Sequence, residues 1–205
     1  MRQGCGQGYG CGEKTMSRWN HGLAAALLLA ACHVATAALP GDSLYQLDAP
    51  MRAQNGQPFK MADLAGKPAL VTMFYGSCQL ACPIVFHHME ATVAALPAAA
   101  RGKLTAVMIS LDPKEDTADS LRRLAHEHGM DGPGWVWAVS DTDEHTRGVA
   151  AALGIRYRRL EDGTINHSTR VLLLDRQGRV AAATDDIGTK PDAGLLAKLR
   201  ELTRR

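Results

Sequence analysis

The chain has 205 residues, 46% apolar and 21% charged, with a formal net charge of +2. That is room for one domain with its own core plus a short extra segment. Arg2, Lys14 and Arg18 against Glu13 account for the surplus, leaving 20 basic and 20 acidic groups after residue 37. With no basic stripe interleaved with aromatics, nucleic-acid binding has no electrostatic support.

The N-terminus reads as an export signal. Arg18-Trp19-Asn20-His21 is a polar n-region, and Leu23 to Ala31 is a short apolar h-region. Ala35-Thr36-Ala37 fits a small-x-small cleavage pattern, with cleavage after Ala37 or Ala38. The alternative is Leu29-Ala30-Ala31-Cys32, a lipoprotein-type box in which Cys32 would be lipidated. The apolar stretch is too short to cross a bilayer comfortably, and His33 interrupts its extension. Residues 1–15, Gly-rich with Cys5 and Cys11, fit no targeting pattern; a start at Met16 would give an ordinary signal peptide. The expected organisation is a leader over 1–38 and a single domain over 39–205. The mature protein is expected to be exported and periplasmic, either soluble or lipid-anchored. Cleavage after Ala37 leaves Cys78 and Cys82 as the remaining cysteines, in an oxidising compartment.

Leu44 to Leu47 and Gln57 to Lys60 read as a small hairpin around the turn Gln54-Asn55-Gly56. Leu70 to Tyr75 reads as a buried strand and Pro83 to Leu96 as a helix, with Ile84, Val85, Met89, Val93 and Leu96 as its apolar residues. Pro83 suits the first turn, where its missing N–H is not needed. Leu104 to Leu111 is a second apolar strand. A helix capped by Asp116 or Thr117 runs to His128 and stops at Gly129. A strand over Trp135 to Val139, a helix over Asp141 to Leu153 and a short strand over Ile155 to Arg159 follow. After the turn at Asp162-Gly163, Thr169 to Leu174 and Arg179 to Thr184 form a hairpin, and Pro191 to Arg205 is a closing helix. Apolar strands separated by helices imply a sheet covered on both faces, made partly antiparallel by the last hairpin. The expected class is α/β with a thioredoxin-like fold: a mixed sheet flanked by helices, with an N-terminal hairpin.

Cys78-Gln79-Leu80-Ala81-Cys82-Pro83 lies at the strand-to-helix junction. Four residues apart, the two thiols are expected on one helix face, where the dipole and free N–H groups favour thiolate. As a structural staple the pair would close a tiny loop worth only about 2 kcal/mol. Two roles remain open: a dithiol/disulfide couple, or a soft-metal site. The three-residue spacing, against the usual two of redox enzymes, favours one metal held by both sulfurs.

A copper site that also holds Cu(II) needs a nitrogen ligand. His21 and His33 belong to the leader. His87 and His88 are expected to be solvated, His126 and His128 to complement a helix C-terminus, and His145 to lie on the surface. His167 differs, because in a thioredoxin-like fold the connection before the strand Thr169 to Leu174 comes near the redox helix. Asp112-Pro113 reads as a strand end and turn. Trp135 and Trp137 alternate on one strand and read as core or shielding.

Tyr75-Gly76-Ser77-Cys78-Gln79-Leu80-Ala81-Cys82-Pro83 resembles the signature of the Sco/SenC copper-chaperone family. Ile109 to Thr117, an apolar strand ending in Asp112-Pro113 and then Asp116-Thr117, is similar to that family's second block. Asn166-His167-Ser168, followed by an apolar strand and Asp175-Arg176-Gln177-Gly178-Arg179, is similar to its third. The resemblance runs from about Pro50 to Leu202. It implies a thioredoxin fold, with Cys78, Cys82 and His167 as the ligands of one copper ion, Cu(I) or Cu(II). It further implies delivery of copper to cytochrome c oxidase, with subunit II as recipient and a copper or electron donor as second partner. Gln79-Leu80 departs from the Pro-Asp of many members and removes a negative charge beside the thiols. The alternative function is a periplasmic thiol-disulfide oxidoreductase using Cys78 and Cys82 as a redox disulfide. A thiol peroxidase is disfavoured by the paired cysteines and by Pro83.

Overall fold

The computed structural model describes residues 38–78 and 82–204. The leader readings at Met16, Cys32 and Ala35-Thr36-Ala37 lie outside the described residues. Residues 38–205 form one compact unit.

Three parallel strands make the centre of the sheet: β3 (Ala69–Phe74), β4 (Thr105–Ser110) and β5 (Trp135–Ser140). Every residue of β3 is buried, as expected of a strand covered on both faces. The helix α1 (Cys82–Ala94) and the short α2 (Ala98–Arg101) connect β3 to β4, and α3 (Ala118–Glu127) connects β4 to β5. The helix α4 (Asp143–Ala152) leads to a separate two-stranded ribbon of β6 (Tyr157–Arg159) and β7 (Ile165–His167). The chain then re-enters the sheet as the antiparallel pair β8 (Val171–Leu174) and β9 (Val180–Thr184) and ends in α5 (Ala193–Arg204). With β1 (Met51–Ala53) and β2 (Pro58–Phe59), the sheet order is β2-β1-β5-β4-β3-β8-β9. This is the mixed, helix-flanked, thioredoxin-like sheet expected from the order of elements.

The N-terminal hairpin is real and its second strand β2 lies within the expected Gln57 to Lys60, but its first strand is built from other residues. Its first strand is β1, which pairs with β2 and also with β5. Leu44–Gln46 is instead a single 3-10 turn, capped by the Ser43 hydroxyl. Tyr45 goes inward because its hydroxyl reaches the carbonyl oxygens of Lys67 and Asp175 at 3.1 and 3.2 Å. Gly178 makes this docking possible: it has φ +81, and a Cβ there would stand 2.5 Å from the Tyr45 ring.

The ribbon strand β7 is a second difference. Its three residues lack the long apolar run that marks β3 and β4, so pattern alone left His167 in a connection. Ile165 alone is buried in it.

The inner end of α1 is fixed by an aromatic cluster. Phe86 packs edge-on against Phe74 and Trp137, with ring centroids 5.3 Å apart in both cases, and Phe74 meets Trp137 at 5.0 Å. Such T-shaped pairs add to the burial of area itself. Trp137 also donates its indole N–H to the Met130 carbonyl oxygen at 3.1 Å. Trp137 is therefore core, and Trp135 is half-buried. Ile84, one of the apolar residues expected in this helix, is an exposed large hydrophobic of α1, whereas Phe86 and His88 face inward.

Phe86→Ala would remove the ring that locks α1 to β3 and β5. The expected loss is about 3–5 kcal/mol of unfolding free energy, read from the urea midpoint at unchanged m-value.

Candidate metal centre

Three segments meet beyond the C-terminal end of β3: the cysteine loop, the exit of β4 and the β6–β7 ribbon. Backbone hydrogen bonds carry β3 into the first of them. The Cys78 N–H donates to the Tyr75 carbonyl oxygen at 3.2 Å, forming a turn. The helix begins at Cys82, with Pro83 in its first turn, so Cys78 precedes the helix and is not on its face. Even so, the Cys82 N–H donates to Cys78 Sγ at 3.4 Å. A free helix donor stabilises sulfur best when the sulfur is charged.

Cys78 and Cys82 are not joined by a disulfide. Cys82 is fully buried, and burial, reinforced by Cys78 and Asp116, pushes its thiol far above its usual range. Cys78 is partly exposed and is the accessible sulfur. Tyr75 joins the cysteines to the histidine. Burial and the Cys78 thiol beside it raise its phenol, and its ring lies edge-on to His167 at 5.8 Å between centroids.

His167 stands opposite Tyr157 in the ribbon. Its Nδ1 is 3.0 Å from the Ser168 carbonyl oxygen. A carbonyl can only accept, so the neutral ring carries its proton on Nδ1 and its lone pair on Nε2. Nε2 is buried and has no hydrogen-bond partner among the described residues. Burial, outweighing the Ser168 bond, lowers the ring's pKa below 6.5 and keeps the lone pair free at neutral pH. A carbonyl-fixed tautomer with an unused buried nitrogen is how a metal-ligating imidazole is held. The donor set of two sulfurs and one imidazole suits Cu(I) and tolerates Cu(II). The three groups are neighbours through Tyr75 rather than a finished cage: among the described residues, no three His, Cys, Asp or Glu side chains converge as a metal cluster.

Asp112 does more than end a strand. It is buried and receives the Arg159 guanidinium, with Nη2 to Oδ1 at 2.5 Å and Nη1 to Oδ2 at 3.3 Å. Arg159 Nη1 also donates to the Gly163 carbonyl oxygen at 3.2 Å, which ties the ribbon and its turn to the β4 exit. Asp116 was one of two capping candidates; Thr117 is the cap, with its hydroxyl accepting from the Ser120 N–H. The buried Asp116 carboxylate instead accepts from the Gly76 N–H and the Ser110 hydroxyl. Burial raises its pKa, partly offset by these two bonds. Tyr75, Gly76 and Asp116 are the site residues that sequence reasoning passed over. The one signal was that all three fall inside the two motif blocks around Cys78 and Asp112.

The other histidines among the described residues lie elsewhere. His87 is exposed beside Glu90, and His126 and His145 pair with Asp131 and Asp141. His128 lies on the Phe86 ring at 4.7 Å. His88 corrects its expectation: it is fully buried, with Nδ1 3.0 Å from the Gly188 carbonyl oxygen, because α1 turns that face toward the loop before α5.

A family model described as SCO1/SenC matches residues 45–204. A protein of Stutzerimonas stutzeri named "Putative copper-binding protein" is 26% identical over 129 residues. That alignment covers 61% of this chain and 61% of that protein, so the chain spans under two thirds of its length. A SCO1/SenC family lipoprotein of Bacillus anthracis superposes with a TM-score of 0.68 at 22% identity, over 80% of this chain and 99% of the other. Arabidopsis thaliana ScoI with copper bound superposes at 0.62 and 17% identity, over 75% and 96%. At these identities the structural likeness is one of fold.

The His167 ring should titrate below 6.5, with Nε2 as the nitrogen that takes up the proton, in a nitrogen-detected NMR titration of the metal-free protein. The unfolded chain binds that proton first. The native state therefore loses this part of its stability as pH falls through 6.5 towards the ring's own lower pKa. His167→Gln should flatten that segment of the stability profile.

Proposed function

The chain belongs to the SCO1/SenC family, and we propose that it binds one copper ion through Cys78, Cys82 and His167 and passes it to a recipient protein. The observation that carries this reading is the buried, unpartnered Nε2 of His167, set one aromatic ring away from the cysteine loop. The copper held by the Arabidopsis homologue supports it, as does the name of the Stutzerimonas relative.

Copper is cargo here, and the chemistry is ligand exchange. Cys78, the exposed sulfur, is the group that an incoming donor or recipient reaches first. Cys82 contributes its sulfur only after losing a proton that burial holds tightly. His167 adds a nitrogen that tolerates Cu(II) as well as Cu(I). The recipient we favour is a dinuclear copper site such as that of cytochrome c oxidase subunit II, with a copper or electron donor upstream. The protein is exported to the periplasm. It is soluble after cleavage near Ala37, or held at the membrane by a lipid on Cys32; the lipoprotein nature of the Bacillus homologue supports the second form. Among the described residues no helix is long and apolar enough to cross a membrane.

The test is an anaerobic titration of the reduced 39–205 domain, followed by visible absorption. One equivalent of copper should bind, with sulfur-to-Cu(II) charge-transfer bands. Cys78→Ser and Cys82→Ser should each lose at least about 100-fold in affinity, beyond the range for losing an outer-shell partner. His167→Ala should weaken Cu(II) more than Cu(I). The opposite result is stoichiometric oxidation: two Cu(II) reduced to Cu(I), a Cys78–Cys82 disulfide formed, two protons released and the copper removed by a chelator. It would make the protein a thiol-disulfide oxidoreductase.

Copper affinity should also fall as pH falls, because protons compete at Cys82 and, below 6.5, at His167. Competition titrations between pH 8 and pH 5.5 check the sign; affinity that rises on acidification would remove both groups from the ligand set.

A further inference from the structure

The loop between β3 and the cysteines has few internal ties. Gly76 and Ser77 form a turn closed, among the described residues, by the backbone hydrogen bond from the Cys78 N–H to the Tyr75 carbonyl. Its outer anchor comes from forty residues further along the chain. Asp116 Oδ2 lies 3.0 Å from the Gly76 nitrogen and also accepts from the Ser110 hydroxyl. Ser110 is the last residue of β4 and stands directly beside Phe74, the last residue of β3. Its hydroxyl oxygen in turn accepts from the Asp112 N–H at 2.9 Å, and the Asp116 N–H donates to the Asp112 carbonyl oxygen at 2.9 Å. The carboxylate is therefore held by the Ser110 hydroxyl before it reaches the loop, and Asp112 braces both that hydroxyl and the Asp116 backbone. Gly76 is shaped to receive it: a Cβ at that position would collide with Asp116 Oδ1.

We infer that Asp116 is a positioning residue of the copper site: its carboxylate oxygen clamps the Gly76 amide and so fixes where Cys78 stands against the Cys82 N–H. Gly76 and Ser77 carry the chain from the clamped amide to Cys78. Their placement decides whether its sulfur meets the free donor of α1 at 3.4 Å. Asp116 touches neither the metal nor a sulfur in this role; it acts on Cys78 through the backbone, separately from its charge, which helps to raise the Cys82 thiol. The inference rests on the copper-site reading for its functional meaning, but the clamp itself can be read without copper.

The test uses the full-length reduced protein and the variants Asp116→Ala and Asp116→Asn. Three readouts are taken: residue-resolved hydrogen exchange at Gly76, the pKa of Cys78 from the pH dependence of its carboxymethylation (followed by peptide mass spectrometry), and copper affinity. Asn retains a side-chain carbonyl that can accept from both Gly76 and Ser110. In Asp116→Ala, Gly76 exchange should quicken by about tenfold or more, the usual scale for losing a hydrogen bond to a charged group. The Cys78 pKa should rise and copper affinity fall by a similar factor. Asp116→Asn should keep all three near the parent values.

Unchanged Gly76 exchange and Cys78 pKa in Asp116→Ala would overturn the inference. So would a uniform rise in exchange across the core with Cys78 unmoved, which is the signature of a residue that only supports the fold. Asp116→Asn behaving like Asp116→Ala would overturn it too. If Asp116→Ala does not fold, Gly76→Ala is read in its place, because its methyl group breaks the same contact from the other side. If the parent binds no copper, the copper-site reading fails, while the clamp still stands or falls on exchange and thiol pKa.

Discussion

Cys82, which opens α1, is fully buried, and its backbone N–H has to find an acceptor there. It is given to the Cys78 sulfur. That single pairing requires the chain to leave β3, turn back within a few residues and present a thiol to the helix start. The Phe74–Phe86–Trp137 cluster holds the helix end in place, and the Asp116–Gly76 contact holds the loop. The strand itself is buried on both faces and has no freedom to compensate.

The histidine reaches the same place by a different route. It belongs to a two-stranded ribbon outside the main sheet, and a ribbon of that size has little stability of its own. Arg159 supplies the missing attachment. It stands in β6, bonds the turn at Gly163, and is received by a carboxylate on Asp112 that is almost fully buried. A buried carboxylate left without this partner would be strongly destabilised, so the ion pair keeps the ribbon, and with it His167, against the β4 exit. The two aspartates of one short segment thus reach in two directions: Asp112 to the histidine ribbon and Asp116 to the cysteine loop. Tyr75 fills the space between, touching both sides.

How legible this was in the sequence depends on the range of the interaction. The long apolar strands and the capped helices were readable because period, caps and glycine stops are local; Thr117 with Gly129, and Thr142 with Gly154, bound their helices close to the expected ends. The N-terminal strand was misplaced because Tyr45 looks like a strand residue, while its actual determinant is a hydroxyl bond to carbonyls 22 and 130 residues away. His88 was misread for the same reason: burial by the Gly188 loop leaves no trace in the helical pattern around it. The strand β7 is too short for any period to register.

The sequence by itself determined the chemistry available: two soft sulfurs at a strand-to-helix junction and one histidine ahead of a late strand, on an α/β order that admits a thioredoxin-like sheet. Those are facts of residue type and local spacing. Only the tertiary structure decided which nitrogen of His167 keeps its lone pair, that Cys82 is buried and Cys78 reachable, and that Asp112 and Asp116 anchor opposite halves of the site. The reason is that tautomer, burial and ion pairing are set by groups on other elements. Those groups become neighbours only when β3, β4 and the ribbon are brought to the same end of the sheet.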